Sequence, residues 1–398
     1  TPCGTLFPYT TLFRSLLLSA GGIRKLAGRD RSAALARPFQ QGMVSPQRSR
    51  ALGDMGRNDP KHWTWRDDRL DGILLVYAED TVTAQDQTRR LISLLGTAWQ
   101  KEGEEPIRLP KNGREPFGFR DGISRVRVDI GDGSAPPDGV AVVPPEEVLL
   151  DFRPESGSPL ARGSAYVVIR DIQQDVNAFW GFWRGQSKTE EESVWLASKA
   201  VGRWPNGMPV TGAEPIPEPP ADEAVIRRSF SFKDDPRGER CPFGAHIRRA
   251  NPRDGLRTDP DLSLRLVSGR RIIRRGRVFG PPASPDAYPA SIRPHLESTE
   301  SVCKKGEPGL LFLALCADLA GQFEFIQQTW LNNPKHANLF DEVDPIAAGD
   351  GIPEDHHHFT IPRNPVRRRI TGMKNWITIR GGGYFLLPSR TALDHLSG

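Results

Sequence analysis

The sequence has few cysteines, and their spacing favours neither a metal site nor a disulfide framework. Its 398 residues include four, and no two of them form a CxxC pair: Cys3, Cys241, Cys303 and Cys316. Structural zinc sites usually depend on closely paired cysteines, so a zinc site of that kind is not indicated. We expect all four to be reduced thiols.

The sequence also lacks a long hydrophobic run and a strong excess of one charge. No stretch approaches the roughly 18 unbroken apolar residues of a membrane-spanning helix. Lys and Arg total 54 against 49 Asp and Glu, a net charge of +5, so neither nucleic acid nor a membrane is indicated as a partner. With 37% hydrophobic residues and a mean hydropathy of −0.48, the composition suits a globular protein with its own core.

An unusual segment opens the sequence. Residues 1–15 read TPCGTLFPYTTLFRS, do not begin with Met and resemble translated sequencing-adapter DNA. We therefore interpret 1–15 as a non-native segment and exclude it from fold reasoning, as one would exclude a tag. The native start, with any signal peptide, is then missing, so a cytoplasmic and a secreted location both stay open.

Short apolar runs alternate with segments of helical periodicity. The apolar runs predict strands at Gly72–Ala78, Val148–Phe152, Ala165–Ile169, Leu310–Leu315, Trp376–Ile379 and Tyr384–Leu387. Apolar residues on one face predict helices over Leu91–Ala98, Ile172–Trp183, Leu319–Trp330 and Thr391–Leu396. Asp80 or Thr81 can cap the first of these helices.

Glycine and proline punctuate this pattern. Gly381–Gly383 predicts a turn or a bulge between two strands, and the proline-rich loop Arg203–Ala224 is interpreted as the border between two halves. The alternation of strands and helices predicts an α+β or an α/β fold, and composition alone does not choose between them.

The first motif with chemical content is EPFGFRDGIS, Glu115–Ser124. Gly118 and Gly122 bracket Asp121, and two phenylalanines precede it closely. Asp-Gly is a common turn dipeptide, so a purely structural turn is one interpretation. The other is a carboxylate in the wall of an apolar cavity, where burial raises the pKa and suits the group to proton transfer.

The second motif, CPFGAHIRRANPR at Cys241–Arg253, contains a single histidine, His246. A lone histidine is more often structural than a ligand. A haem iron, however, needs only one protein imidazole to leave its opposite face open to peroxide. Three arginines follow that either pair with haem propionates or form a solvated basic face: Arg248, Arg249 and Arg253.

The third motif, IIRRGRVFG at Ile272–Gly280, is apolar and then cationic. It suits a strand with exposed charge, and the basic run Arg270–Arg277 can also be interpreted as a nucleic-acid patch. The scarcity of interleaved aromatics and the nearly balanced charge argue against such a patch. Because successive strand residues face opposite sides, only one of Arg274 and Arg275 can point into a given site.

Taken in this order, the three motifs resemble those of the dye-decolourising peroxidases. In that family a GxxDG motif supplies an aspartate on the peroxide side of the haem, matched by Gly118–Gly122. A histidine supplies the iron ligand, matched by His246, and an arginine after two apolar residues completes the site, matched by Arg274. The resemblance runs from about residue 40 onward and includes further matching segments: Gly202–Gly207, Gly309–Phe312, Gln322–Gln327 and Ile379–Leu386.

The resemblance implies an α+β fold of two ferredoxin-like halves, each an antiparallel sheet covered by helices, with haem in the C-terminal half. We expect the N-terminal half at residues 16–205, with the first strand of the family fold lost to the foreign segment 1–15. The haem-binding half is then 206–398. Asp121 would belong to the first half and His246 to the second, so the site would depend on how the halves dock.

The implied function is a haem b peroxidase that uses hydrogen peroxide to oxidise dyes, phenols and similar aromatic one-electron donors. Asp121 would be the catalytic acid and base, and Arg274 the stabiliser of developing negative charge. The haem contacts implied are His246 on the iron, together with Arg248, Leu310 and Phe312. A non-catalytic haem carrier or sensor is the alternative, which needs His246 but neither catalytic residue. The oligomeric state is not indicated.

Four smaller expectations concern histidines and aromatic residues. An iron-ligating imidazole usually has a hydrogen-bonding partner, for which Glu324 and Asp341 are candidates. The histidines of Asp355–His358 alternate between faces if they lie in a strand, so a metal site is not expected there. Isolated histidines are interpreted as surface groups: His62, His295, His336 and His395. Trp376 and Tyr384 are interpreted as core aromatics rather than electron relays.

Overall fold

The computed structural model describes residues 12–28, 32–109, 113–124, 126–129, 131, 133, 135, 140–152, 157–210, 231–296, 306–337 and 339–397. Cys3, Cys303 and residues 211–224 of the predicted border loop lie outside the described residues. Cys241 and Cys316 are buried free thiols.

The described residues form the following strands: β1 Leu12–Leu18, β2 Trp65–Arg66, β3 Gly72–Ala78, β4 Val126–Val128, β5 Ala141–Val143, β6 Ala165–Gln174, β7 Ile273–Arg274, β8 Arg277–Phe279, β9 Gly309–Cys316, β10 Phe359–Ile361, β11 Arg368–Ile370 and β12 Ile377–Leu387.

The helices are α1 Ala20–Ala27, α2 Arg37–Gln41, α3 Pro46–Leu52, α4 Thr81–Leu95, α5 Val176–Gly185, α6 Glu190–Val201, α7 His246–Ala250, α8 Pro260–Ser268 and α9 Arg390–Ser397. Between α8 and α9, Leu319–Glu324 and Ile326–Leu331 are consecutive π-helical stretches. Single 3-10 turns complete the set: Gly56–Asn58, Pro60–His62, Gly96–Ala98, Pro145–Glu147, Arg253–Gly255, Pro285–Ala287, Arg293–His295 and Glu354–His356.

One large sheet organises the chain. Its strand order is β3-β1-β12-β6-β9-β7, with β2 beside β12 and β8 beside β9. Every pair in it is antiparallel except the short β2–β12 contact. A mainly antiparallel sheet combined with helices confirms the α+β prediction. Strands from both sides of residue 205 share this sheet, and the border between the two halves stays a prediction.

Strand β9 lies between two hydrophobic cores and shows why the site forms on one face of the sheet. Leu311, Leu313 and Leu315 point to one core. The alternate residues Phe312 and Ala314 face the other, larger core. Because side chains alternate along a strand, two residues paired across neighbouring strands point to the same face of the sheet. The register of β7 against β9 therefore decides which arginine faces which core.

Several local predictions are confirmed. Helix α4 begins where expected, because the Asp80 carboxylate accepts the Thr83 backbone N–H at 2.8 Å, as an N-cap residue does. The apolar run Gly72–Ala78 is β3, and the closing helix is α9. Leu319–Trp330 is helical, with π-type rather than α-type hydrogen bonding.

Other local predictions are wrong or stay untested. Leu12–Leu18 forms a strand that pairs with the whole of β3, and the loss of the first strand of the family fold, like the non-native origin of residues 1–15, stays a prediction. Val148–Phe152 is a turn rather than a strand, because Asp151 has φ 42°, a left-handed conformation that ends strand geometry. Ile172 lies in β6, so the helix after it begins only at Val176.

The glycines Gly381–Gly383 lie inside one continuous strand, β12, rather than between two strands. The register against β6 shifts between Ile379 and Gly381, which is the bulge alternative of the prediction. A Cβ at Gly381 would lie 2.5 Å from Trp65 Nε1, so only glycine lets β2 approach this strand.

Two histidines outside the three motifs have defined surroundings in the structure. His336 is 6% exposed, and its burial lowers its pKa to about 3, so its assignment as a surface group is wrong. His358 contacts Asp341 and the Asp355 carbonyl.

Within the described part of the chain, no helix is long and apolar enough to cross a membrane.

Candidate active site

The loop that carries Asp121 is held by a buried acid, Glu115. Its carboxylate accepts the backbone N–H groups of Phe117 and Phe119, both at 3.0 Å, and the side-chain amide of Gln174 at 2.8 Å. The backbone N–H of Asp121 in turn donates to the Gly113 carbonyl at 2.8 Å. These bonds close the loop on itself and fix the position of Asp121.

The aromatic side chains of the same loop anchor it to helix α5. The Phe117 ring stacks on Phe179 with ring centroids 4.4 Å apart, and the Phe119 ring stacks on Trp180 at 6.0 Å. Trp180 also donates its indole N–H to the Phe117 carbonyl at 3.0 Å. The phenylalanines of the motif therefore position the aspartate by packing into the core.

Asp121 and Arg274 form an ion pair, which joins two of the three sequence motifs. Arg274 Nη2 lies 3.0 Å from Asp121 Oδ1, and the two side chains stay 44% and 28% exposed. Across the sheet Arg274 pairs with Ala314 of β9, so it shares a face with Phe312. Arg275 lines the opposite face with Leu313. The structure thus separates the two arginines as strand alternation predicts.

The environment keeps Asp121 ionised. Burial by itself would raise its pKa, but the charge of Arg274, a bond from the Gly122 N–H and the charge of His246 together lower the pKa below the ordinary value of 3.8. The expectation of a raised pKa at this position is therefore wrong, because the adjacent guanidinium outweighs desolvation. Asp121 is a carboxylate, and hence a proton acceptor, at neutral pH.

Gly276 lets the Asp121 carboxylate approach the sheet. A Cβ added there would lie 3.3 Å from both Asp121 Oδ2 and Leu310 Cδ1. Leu310 and the carboxylate therefore both border the space beside Gly276, and the role of Leu310 in binding a cofactor stays a prediction. Phe312, two residues further along β9, packs on Phe323 with ring centroids 6.2 Å apart.

His246 is the first residue of α7 and is oriented by Asp344. Its Nδ1 lies 3.1 Å from both carboxylate oxygens of Asp344. The imidazole is 30% exposed, whereas the Asp344 side chain is completely buried. Asp344 Oδ1 also accepts the backbone N–H groups of Ile346 and Ala347, at 2.9 and 2.7 Å.

This arrangement fixes the tautomer of His246. Burial would raise the pKa of Asp344, but the charge and hydrogen bond of His246 and the charge of Arg249 lower it below 3.8. An ionised carboxylate only accepts hydrogen bonds, so Nδ1 must carry the proton. In a neutral ring the lone pair is then on Nε2, the form that a metal-binding imidazole requires.

The partner of His246 is therefore neither of the two predicted acids. Glu324 accepts bonds from Tyr384 at 2.8 Å and Arg48 at 2.6 Å. Asp341 contacts His358 and Arg369 near the surface. Sequence reasoning missed Asp344, whose signal is the Asp-Pro pair it forms with Pro345, a common start of a turn.

Arg248 and Arg249 have structural roles. Arg248 is 3% exposed, donates to Asp235 and to the Cys241 carbonyl at 3.0 and 2.7 Å, and lies between two phenylalanine rings. These contacts hold the segment before His246 in place, and the expectation that Arg248 binds the cofactor stays a prediction.

Arg249 secures α7 from the other side. It is fully buried and donates to four backbone carbonyls, those of Trp330, Leu331, Asn333 and Glu342. Because these carbonyls end the π-helical segment and begin the loop to Asp344, Arg249 sets the distance between His246 and its carboxylate partner. It is not available to a cofactor.

Comparison with known proteins extends these observations. No protein-family model matches the chain. The dye-decolorizing peroxidase msp1 of Mycetinis scorodonius is 30% identical over 392 residues, which cover 89% of this chain and 71% of that protein.

Solved structures show the same fold. A dye-decolorizing peroxidase in complex with 2,6-dimethoxyphenol superposes with a TM-score of 0.78 at 24% identity, over 96% of this chain and 85% of the other. An ancestral D-type dye decolorizing peroxidase gives 0.74 at 27% identity over the same shares. The chain therefore belongs to the dye-decolourising peroxidase family, oxidoreductases that depend on haem and act on peroxide.

Proposed function

We propose that the protein is a haem b peroxidase in which His246 binds the iron and Asp121 and Arg274 act on hydrogen peroxide. The observation that carries this proposal is the coexistence of two separate pairs, His246 with Asp344 and Asp121 with Arg274. The first is the arrangement of a metal-binding imidazole. The second is a base beside a fixed positive charge, which a haem carrier without turnover does not need.

The donor set fits haem. A proton on Nδ1 of His246 leaves one neutral nitrogen ligand, and a single such ligand leaves the opposite face of a haem iron free. When bound, haem supplies the redox chemistry: peroxide is reduced, and the oxidising equivalents pass to one-electron donors.

The protein residues handle protons and charge. The Asp121 carboxylate accepts a proton from one oxygen of hydrogen peroxide and returns it to the other oxygen, which leaves as water. Arg274 stabilises the negative charge that develops on the peroxide oxygens. Their hydrogen bond of 3.0 Å keeps the carboxylate oriented and ionised before peroxide arrives.

Leu310 and the Asp121 carboxylate both border the space beside Gly276, and Phe312 lies on the same face of β9 as Leu310. Dyes and phenols are the substrate class proposed, with hydrogen peroxide at Asp121 and bulky aromatic donors giving up their electrons at the protein surface.

The test is haem loading. Apoprotein titrated with haemin should develop the Soret band of a histidine-ligated haem in the parent and in the control His357→Ala, but not in His246→Ala. Adding peroxide to the loaded parent should then shift that band. Equal spectra for His246→Ala and the parent would remove His246 as the ligand, and a loaded parent unresponsive to peroxide would favour the haem-carrier alternative.

A further inference from the structure

Glu115 and Asp121 lie on opposite arms of one short hairpin. The Glu115 N–H donates to the Phe119 carbonyl at 2.9 Å, and the Asp121 N–H donates to the Gly113 carbonyl at 2.8 Å. Glu115 and Asp121 are the only acidic residues of segment 113–124. The backbone that carries Asp121 is therefore bonded directly to the backbone that carries Glu115.

The environment separates these two carboxyl groups in pKa. Burial raises the pKa of Glu115 to about 7, and the charge of Asp121 contributes to this rise, although three N–H donors act in the opposite direction. Asp121 has a pKa below 3.8, because its burial is outweighed chiefly by Arg274. Between about pH 4 and 7 the hairpin therefore holds one charged and one neutral acid. Pairs separated in this way are typical of sites that transfer protons.

The side-chain amide of Gln174 has a group suited to each form of Glu115. Its NH2 group donates to Glu115 Oε2 at 2.8 Å, as suits a carboxylate. Its oxygen is buried and, among the described residues, accepts no hydrogen bond. The O–H of a neutral Glu115 needs an acceptor, and a half turn of the Gln174 amide brings that oxygen to Glu115. Because an unpaired buried acceptor costs free energy, the arrangement favours the neutral acid.

The other groups around Glu115 keep their charge near pH 7. Three titratable side chains of the described chain interact with Glu115 by charge: Asp121, Arg114 and Tyr288. Arg114 stays cationic, and burial raises the pKa of Tyr288, so its phenol stays neutral. The groups by which β6 and α5 contact the hairpin, Gln174 and Trp180, carry no charge.

Asp121 faces two further charged or titratable groups, Arg274 and His246. Arg274 is cationic throughout this pH range. In haem-loaded protein the proposed bond of His246 to iron prevents its imidazole from taking up a second proton. A change of charge near pH 7 in the loaded site is therefore a change at Glu115.

We propose that Glu115 is a positioning residue for the reaction with peroxide, acts through Asp121 and is active as the neutral acid. This inference rests on the proposed function, in which Asp121 accepts a proton from peroxide. A neutral Glu115 leaves Asp121 as the single negative charge of the hairpin. An ionised Glu115 adds a second negative charge, which opposes the charge developing on the peroxide oxygens and weakens the effect of Arg274.

The test is the pH dependence of the peroxide-induced Soret change in haem-loaded protein, followed by stopped flow between about pH 5 and 8.5. Glu115→Gln keeps the shape of the side chain but cannot ionise. Gln174→Met removes the NH2 group whose hydrogen bond lowers the pKa of Glu115. Glu342→Gln is the matched control, because Glu342 is also buried and has a pKa of about 7 but lies outside the hairpin. Circular dichroism of each variant verifies folding.

We expect the parent rate to fall about 10-fold as the pH rises through about 7, and the same fall in Glu342→Gln. Glu115→Gln should change less than about twofold over this range, because its side chain has no charge to gain. In Gln174→Met the midpoint of the fall should move up by about one pH unit, because the Glu115 carboxylate has lost a hydrogen bond. In infrared spectra of the apoprotein, a carboxylic acid band should disappear near pH 7 in the parent and be weaker in Glu115→Gln.

The role of Glu115 would be overturned by a parent rate that does not fall, by an equal fall in Glu115→Gln, or by a fall that disappears in Glu342→Gln. Infrared spectra that do not distinguish the parent from Glu115→Gln would also overturn it, without any use of haem. If Glu115→Gln does not fold, an unchanged midpoint in Gln174→Met decides against the proposal. A loaded parent that does not respond to peroxide at any pH would instead refute the proposed function.

Discussion

Replacing Asp344 by Asn tests how the protein prepares His246 for iron. The substitution is nearly isosteric, and the Asn oxygen can keep the two backbone N–H bonds that Asp344 Oδ1 now accepts. The amide NH2 then replaces Oδ2, which lies 3.1 Å from His246 Nδ1. A donor would face a donor at that position, so the imidazole either keeps one weaker bond to the uncharged Asn oxygen, which also lies 3.1 Å away, or moves its proton to Nε2.

Either outcome weakens the ligand. A proton on Nε2 removes the lone pair that would bind iron, and a weaker bond to an uncharged oxygen loosens the orientation of the ring and lowers its basicity. Changes to such partners typically cost 10- to 100-fold in metal affinity, or about 1.4 to 2.8 kcal/mol of binding free energy. We expect the dissociation constant for haemin to rise by that factor in Asp344→Asn.

The assay is a Soret titration of apoprotein with haemin, and Asp341→Asn is the control. Asp341 is three residues away, is 47% exposed and pairs with His358 and Arg369 instead, so its substitution should change the dissociation constant less than about twofold, as exposed pairs contribute little. Unchanged haemin affinity in Asp344→Asn, or an equal loss in both variants, would refute this reasoning.

Three further predictions follow from the structure. In haem-loaded protein, Arg274→Leu should slow the peroxide-induced change of the Soret band by ~10²–10³, and Arg275→Leu should have little effect; the reverse order in stopped-flow measurements would place the wrong arginine in the site. Burial raises the pKa of Glu115 and of Glu342 to about 7, so above about pH 5 the folded apoprotein holds protons that the unfolded chain has released. Its free energy of unfolding should therefore fall as the pH rises from about 5 to 7. Denaturant titrations in which the free energy of unfolding rises over that range would contradict this. Arg249→Met leaves four backbone carbonyls without their donor and should cost at least about 3 kcal/mol of unfolding free energy, whereas a loss below about 1 kcal/mol would show that those bonds are replaced.

Where the sequence was informative, it was so through local rules. Strand alternation distinguishes Arg274 from Arg275 because consecutive residues of a strand point to opposite faces of the sheet. The cap at Asp80 needs only the three residues that follow it. Such features are decided by near neighbours in the chain, and near neighbours are what a sequence lists.

The failures depend on distant residues. Asp344 is 98 positions from His246, and its Asp-Pro pair indicates a turn but not contact with a distant imidazole. In the sequence, Ile172 fits an apolar helical face as well as it fits a strand. Only the pairing of β6 with its neighbouring strands makes it a strand residue. The contacts of Arg248 likewise depend on Asp235, a residue outside its own helix.

The central claim is that Asp121 is the proton acceptor for peroxide, and the pH profile of Asp121→Asn tests it most directly. The measurement is the rate of the peroxide-induced Soret change in haem-loaded parent and variant, from pH 3 to 9. Because the pKa of Asp121 lies below 3.8, the parent should stay fast in mildly acidic solution and slow only as pH falls through that pKa. Asp121→Asn should be ~10²–10⁴ slower and lack this acid limb. A variant within about threefold of the parent, or a parent with its maximum above about pH 8, would contradict the account.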